Sequence, residues 1–298
     1  MDIKEFSCNM KKAVEKRLGE GYRIEETTVD KINGVSMEAL VIHKDSINLA
    51  PTIYLKPYYE DYLDGEGIRE GSERIVEAFN RAVPRDDLDM KFYVDYETVR
   101  NGLYYKLIST ERNRSLLDNI PHVPFLDLDI VFYYSLEKDG MPEGSILVRN
   151  SHMELWGVNT ETLMRDARVN SPLSMPVKCR EMKEVLSELK PDDTDLMIKW
   201  EDLPPMYVLS NRRMVNGASA ILYPGILAGM SEKFNENIYI IPSSVHEVII
   251  IPDDGRGDPE YLRSMIYSIN RTQLDPQDVL SDSLYYFDRE TEKITIAS

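Results

Sequence analysis

The amino-acid sequence predicts an α+β protein with mixed, largely antiparallel sheets and flanking helices, arranged in two lobes. Three observations carry that expectation. Turn signals between β-rich runs recur at Asn33-Gly34, around Pro242 to His246, and in the closing Asp288-Arg289-Glu290-Thr291. Such tight connections join antiparallel neighbours, since parallel strands need long crossovers. Helical spacing of apolar residues appears between these hairpins instead of in strict alternation with single strands. The chain has 298 residues, enough for two domains at roughly 100–200 residues each.

Taken in order, Ile3, Phe6, Met10, Val14 and Leu18 make one face of an opening helix, stopped by Gly19 and Gly21. Residues 22–32 and 35–42 flank Asn33-Gly34 as two strands. A short strand at 52–55 precedes helices at 58–63 and 72–83. Pro84 and Arg85-Asp86-Asp87 form a loop. Residues 96–103 read as helical and 104–108 as a strand, and Ser109 or Thr110 caps a short helix ending near Asp118. Pro121 and Pro124 then break the chain, which places a lobe boundary between 1–118 and 119–298.

In the second lobe, residues 125–136 alternate as one strand, with Asp127 and Asp129 on its polar face, and 146–148 form another. Asn159 caps a helix through Val169, and 178–189 reads as a further helix. Pro191-Asp192-Asp193 opens an acidic loop. Residues 206–209, 218–223, 238–241 and 247–251 read as strands, with a helix over 224–234. Asp258-Pro259-Glu260 is a strong helix start, because a capping carboxylate, a proline in the first turn and an acidic residue all favour the N-terminus. Strands at 284–287 and 293–296 close the chain.

The composition narrows the function classes. Against 35 Lys+Arg stand 52 Asp+Glu, a net charge of −17. The excess is diffuse; segments 51–100 and 251–298 are the most acidic, with 7 basic residues against 12 acidic and 5 against 10. A net basic surface is what phosphate neutralisation needs, so direct nucleic-acid binding is disfavoured. Diffuse acidity acts chiefly through self-repulsion and solubility. The start of the chain lacks an apolar signal segment, and the greasiest stretch, 218–230, is too short to span a bilayer and carries Pro224 and Gly225. Cys8 and Cys179 are too few and too distant for a disulfide framework. These features fit a reducing cytoplasm with no membrane partner.

Phosphate-cradling glycine loops, nucleophile elbows and zinc-ligand spacings are all missing from the sequence, and no cofactor is expected. The most suggestive catalytic cluster is Ser243-Ser244-Val245-His246-Glu247, where a turn would set a hydroxyl beside a base. Against it, His246 and Glu247 point to opposite faces if the segment is a strand. Asp127 and Asp129 would share one strand face and could hold a divalent ion with a third carboxylate, or be that strand's solvated side. Arg112, Arg114 and His122 lie near tyrosines and would suit an anion, or be salt-bridged surface. Asp253-Asp254-Gly255-Arg256-Gly257-Asp258 is oxygen-rich but lacks calcium-loop spacing. The 18 tyrosines would either form a protein-binding face or straddle core and water.

A set of strings gives the chain a family likeness: Pro51-Thr52-Ile53-Tyr54-Leu55, residues 108–114 with Pro121-His122 and Phe125-Leu126-Asp127-Leu128, Trp156-Gly157-Val158, Asn216-Gly217-Ala218 with Leu222-Tyr223-Pro224-Gly225, and residues 241–248. Together they resemble a bacterial family, domain of unknown function 5688, common in gut clostridia, over nearly the whole length. The resemblance implies a cytoplasmic bacterial protein and implies no chemistry. The sequence therefore leads to a non-catalytic, partner-binding or regulatory protein with a protein partner, and leaves the oligomeric state open. The competing expectation is a hydrolase or metal-dependent enzyme built on the turn that holds His246.

Overall fold

A computed structural model describes residues 1–83, 91–136, 144–188, 205–255 and 257–297. Within them the chain is α+β, and every sheet pairing described below is antiparallel. The expected loops at Pro84 to Asp87 and Pro191 to Asp193, and Arg256, lie outside the described residues. Two compact units emerge. One comprises Met1–Thr98 with Ser135–Ile146, the other Val99–Tyr134 with Leu147–Ser298.

The first unit opens with α1 (Ile3–Leu18), β1 (Tyr22–Asp30), β2 (Ser36–Lys44) and β3 (Thr52–Tyr54), followed by α2 (Lys56–Leu63), α3 (Ile68–Ala82), α4 (Lys91–Val94) and α5 (Tyr96–Val99). Asp2 caps α1, accepting from the Glu5 N–H at 2.9 Å. Asn33 and Gly34 both hold positive φ, 63° and 68°, so the hairpin turns through the left-handed pair that matches strand twist. The three strands pair in the order β1-β2-β3. Phe6, Met10 and Val14 of α1 and Ile75 and Phe79 of α3 bury their faces against Ile24, Leu40, Ile42 and Ile53 of the sheet. At the helix ends, Arg17 Nε donates to Ser72 Oγ at 2.7 Å and its guanidinium pairs with Glu73 at 2.7 Å.

The second unit contains β4 (Leu103–Ser109), α6 (Arg114–Leu117), β5 (His122–Phe125), β6 (Leu128–Ser135) up to Tyr134, the last residue of β7 (Ser145–Leu147), α7 (Asn150–Trp156) and α8 (Thr160–Ser174). It continues through β8 (Val177–Glu181), α9 (Met182–Glu188), β9 (Tyr207–Asn211), α10 (Ile226–Phe234) and β10 (Ile238–Ile241). The last elements are β11 (Val248–Pro252), α11 (Pro259–Thr272), β12 (Tyr285–Asp288) and β13 (Lys293–Ile296). Its larger sheet runs β13-β12-β10-β11-β9-β8; a second sheet sets β6 between β4 and β5. Side chains alternate across the large sheet. Ile241 and Ile251 meet Leu262 and Ile266 of α11 on one face. Tyr207, pointing the other way, stacks on Phe234 of α10 at 4.9 Å.

Four local expectations change. Residues 125–136 are a hairpin, because Leu126 turns the chain at φ 56° and the strand resumes at Leu128. The first third of 178–189 belongs to β8, whose ladder with β9 outweighs the helical preference of its Lys, Arg and Glu side chains; α9 follows and Leu189 is outside the described residues. Residues Gly217–Leu222 form a 3₁₀ turn instead of a strand, a short apolar run whose periodicity cannot separate the two. Thr110 makes no cap, since its hydroxyl donates to Asp129 at 2.6 Å. The proline pair expected to mark a lobe boundary at 118/119 sits inside the second unit. Pro124 occupies β5, an edge strand, where a missing N–H costs no ladder bond.

The tyrosine pairs are mostly interior. Tyr104, Tyr105, Tyr133, Tyr134 and Tyr285 are all buried. Burial pushes the Tyr223 phenol up to about 12, and drives those of Tyr105, Tyr133 and Tyr285 well above the usual phenol range. Each folded-state value is raised, so the stabilisation is complete below pH ~10 and lost as pH climbs above it, where only the unfolded chain sheds these protons. Stability measured by urea unfolding is expected to fall between pH 10 and 12 by about 1.4 kcal/mol per pH unit for each such phenol. Tyr223→Phe is expected to flatten that slope by one phenol's share; an unchanged slope contradicts the assignment.

Candidate functional site

The geometry around the sequence-predicted residues centres on hydroxyls and amides. Asp127 lies in the β5–β6 turn and is half-buried. Its Oδ2 accepts from Ser281 Oγ at 2.6 Å and Ser283 Oγ at 3.0 Å, and its Oδ1 accepts from Tyr285 Oη at 2.6 Å. Burial, and next the neighbouring Asp127 carboxylate, raise the Tyr285 phenol. Asp129, on β6 and 3% exposed, accepts from Thr110. The two carboxylates thus hold separate hydroxyl partners. Among the described residues no group of three His, Cys, Asp or Glu side chains is placed to hold a metal ion.

The turn between β10 and β11 contains Ser243, Ser244, His246 and Glu247. The Ser244 hydroxyl accepts from the His246 backbone N–H at 3.1 Å, a local turn bond. The imidazole is held from both sides: Nδ1 accepts from the Asn216 N–H at 3.2 Å, and Nε2 lies 3.4 Å from Asp278 Oδ1. An amide on Nδ1 leaves the proton on Nε2, facing the carboxylate. Histidine in this arrangement has neither nitrogen directed at a serine hydroxyl. Ser243 is half-buried, its N–H bonded to the Ile241 carbonyl, and the Glu247 carbonyl accepts from the Ser244 N–H.

The basic candidates share no common partner. Arg112 reaches Asp282 at 3.6 Å, which Arg271 approaches at 3.4 Å and Asn270 Nδ2 bonds at 2.8 Å. Arg114 is exposed on α6. The His122 Nδ1 lies 3.0 Å from the Ile120 carbonyl and donates to it. An open pocket of about 150 Å³ lined by Ile221, Tyr223, Leu227, Phe287 and Ile294 contains none of the candidates. It is below the size that takes a cofactor or drug-sized ligand.

Beside His246 the structure displays a feature that sequence patterning missed. Residues Arg212, Arg213, Met214 and Val215 form an exposed tip after β9. Met214 and Asn216 both hold left-handed backbone, φ 55° and 52°, a conformation that costs a methionine about 1 kcal/mol or more. The tip is braced throughout: Arg212 N–H to Pro176 O at 2.9 Å, Arg213 N–H to Asn211 Oδ1 at 3.0 Å, Asn211 Nδ2 to Val215 O at 2.8 Å, and Asn216 N–H to His246. Gly217 closes it, and a Cβ there would stand 2.5 Å from the His246 carbonyl oxygen and 2.7 Å from Asn211 N. The sequence signal for this device was the Asn-Gly pair ending the run Asn211-Arg212-Arg213-Met214-Val215-Asn216-Gly217.

A family model described as "Family of unknown function (DUF5688)" matches residues 3–289. The chain belongs to this family. Comparison with curated proteins and with solved structures finds no match. Among the described residues no helix is long and apolar enough to cross a membrane.

Two substitutions test the geometry. Asp127→Ala strands three hydroxyls and is expected to lower unfolding free energy by about 2–4 kcal/mol in urea titrations; a loss below about 0.5 kcal/mol contradicts the network. Gly217→Ala forces backbone apart and is expected to cost about 1–3 kcal/mol, seen as a lowered Tm by calorimetry.

Proposed function

We propose that this chain is a cytoplasmic bacterial protein that binds a protein partner and does not itself catalyse a reaction. The observation that carries the reading is the exposed tip at Arg212 to Val215. It holds Met214 and Val215 in solvent, 40% and 45% exposed, on backbone that is strained and hydrogen-bonded on every side. Strain kept in a rigid exposed segment is a feature of binding and switch regions. Preorganisation also lowers the entropy cost of association. Two further contacts support the reading: His246 bonds the loop at Asn216, and Asp127 and Arg112 bond the 281–285 segment.

The test is comparative capture from a clostridial lysate with immobilised wild type and Met214→Asp, a change that keeps a residue tolerant of left-handed backbone. Wild type is expected to retain a protein that the variant loses. Identical capture by both overturns the reading.

A further inference from the structure

Two stretches of the chain contain no aspartate or glutamate, residues 167–180 and 203–231, in a protein of net charge −17. Between them they carry Arg168, Lys178, Arg180, Arg212 and Arg213. The fold brings them together. Val177 at the start of β8 pairs with Asn211 at the end of β9, and the Arg212 N–H bonds the Pro176 carbonyl. The C-terminal end of α8 and the braced tip therefore lie at the same end of the β8–β9 ladder.

Exposed apolar side chains gather in the same two stretches. On α8, Val169 and Leu173 are one helical turn apart and 57% and 76% exposed; on the tip are Met214 and Val215. Arg212 is exposed beside them, while the charge of Arg213 bears on the buried Tyr133 phenol. Arg180 is committed to Glu188 at 2.6 Å. What faces solvent is thus four apolar side chains on two adjoining segments with arginine beside them, and the carboxylate that precedes the first stretch, Asp166, is engaged by Arg165 at 2.9 Å. Arginine and methionine beside exposed aliphatics are the residue types enriched at interface centres.

We propose that this end of the β8–β9 ladder docks an acidic peptide segment, one whose carboxylates flank an apolar anchor. The proposal rests on the partner-binding reading and names the partner's chemistry. Carboxylates would pair with Arg212 and Arg168, and the anchor would cover Leu173 and Met214. Charges beyond about 8 Å are screened at physiological salt, so the nearby arginines count for more than the net −17, and the carboxylate at the base of the tip, Asp278, faces His246 at 3.4 Å. A long polyanion would meet the acidic remainder of the surface, which favours a short peptide over nucleic acid.

The experiment uses the full chain and a fluorescein-labelled peptide alternating Glu with Leu, read by fluorescence anisotropy. Three controls accompany it: the same peptide with Gln for every Glu, the same with Ala for every Leu, and a single-stranded oligonucleotide. The Glu-Leu peptide is expected to bind at least about tenfold more tightly than either peptide control, and to weaken as salt rises from about 0.05 M to about 0.3 M. Arg212→Glu is expected to weaken it about tenfold, with Arg212→Lys retaining most of the affinity and both variants unfolding at the wild-type temperature. Equal binding of the Glu and Gln peptides, an inert Arg212→Glu, or tighter binding of the oligonucleotide overturns the proposal. If the lysate comparison still shows a partner held through Met214, only the acidic class falls; if it too shows none, the partner-binding reading falls with it.

Discussion

The carboxylate of Asp127 is the constraint on which much of the second unit depends. It sits where β5 turns into β6, and it collects the hydroxyls of Ser281, Ser283 and Tyr285 within 3.0 Å. A charged acceptor with three donors is satisfied, so a half-buried charge is tolerated there. The same segment is held again from outside, where Asp282 receives Arg112, Arg271 and Asn270. Together these bonds attach the segment leading into β12 to the β5–β6 turn, to Arg112 and to α11 through polar groups, and Tyr285 adds a fully buried ring.

Hydroxyl and amide groups recur wherever distant segments of this unit meet. Tyr223 Oη donates to the Met175 carbonyl, Asn170 Nδ2 to the carbonyls of Arg100 and Leu103, and Ser210 Oγ to that of His246. Each contact satisfies a backbone acceptor that loops would otherwise bury unpaired. The Tyr105 hydroxyl differs, having no partner among the described residues. Eight of the 18 tyrosines are thus interior, and the others reach solvent at least in part.

How much could be read beforehand depended on the range of the interaction. The face of α1, the Asn33-Gly34 turn and the caps at Asn159 and Asp258 are set by neighbours within four residues, and the structure shows all of them. The family likeness and the α+β class were also legible. Residues 178–181 looked helical because Lys, Arg and Glu suit helices; only the Tyr207–Asn211 ladder makes them a strand. Asp127 resembled a strand-face carboxylate because its donors come from the far end of the chain. His246 resembled a base because neither the Asn216 amide nor Asp278, 32 residues later, can be inferred from its neighbours.

The reach of the Asp127 bonds also sets a timetable for synthesis. Its three donors follow it by 154, 156 and 158 residues. At roughly 5–20 residues per second, a ribosome needs roughly 10–30 s to supply them after Asp127 is made. During that interval the β5–β6 hairpin exists without the segment that satisfies its turn, and β10 lacks its neighbour β12. The helix–sheet cluster described for the first unit, by contrast, draws its buried residues from Phe6 to Phe79. The residues of that first cluster are thus all synthesised before the hairpin that carries Asp127, while the bonds of the second unit wait for the final strands.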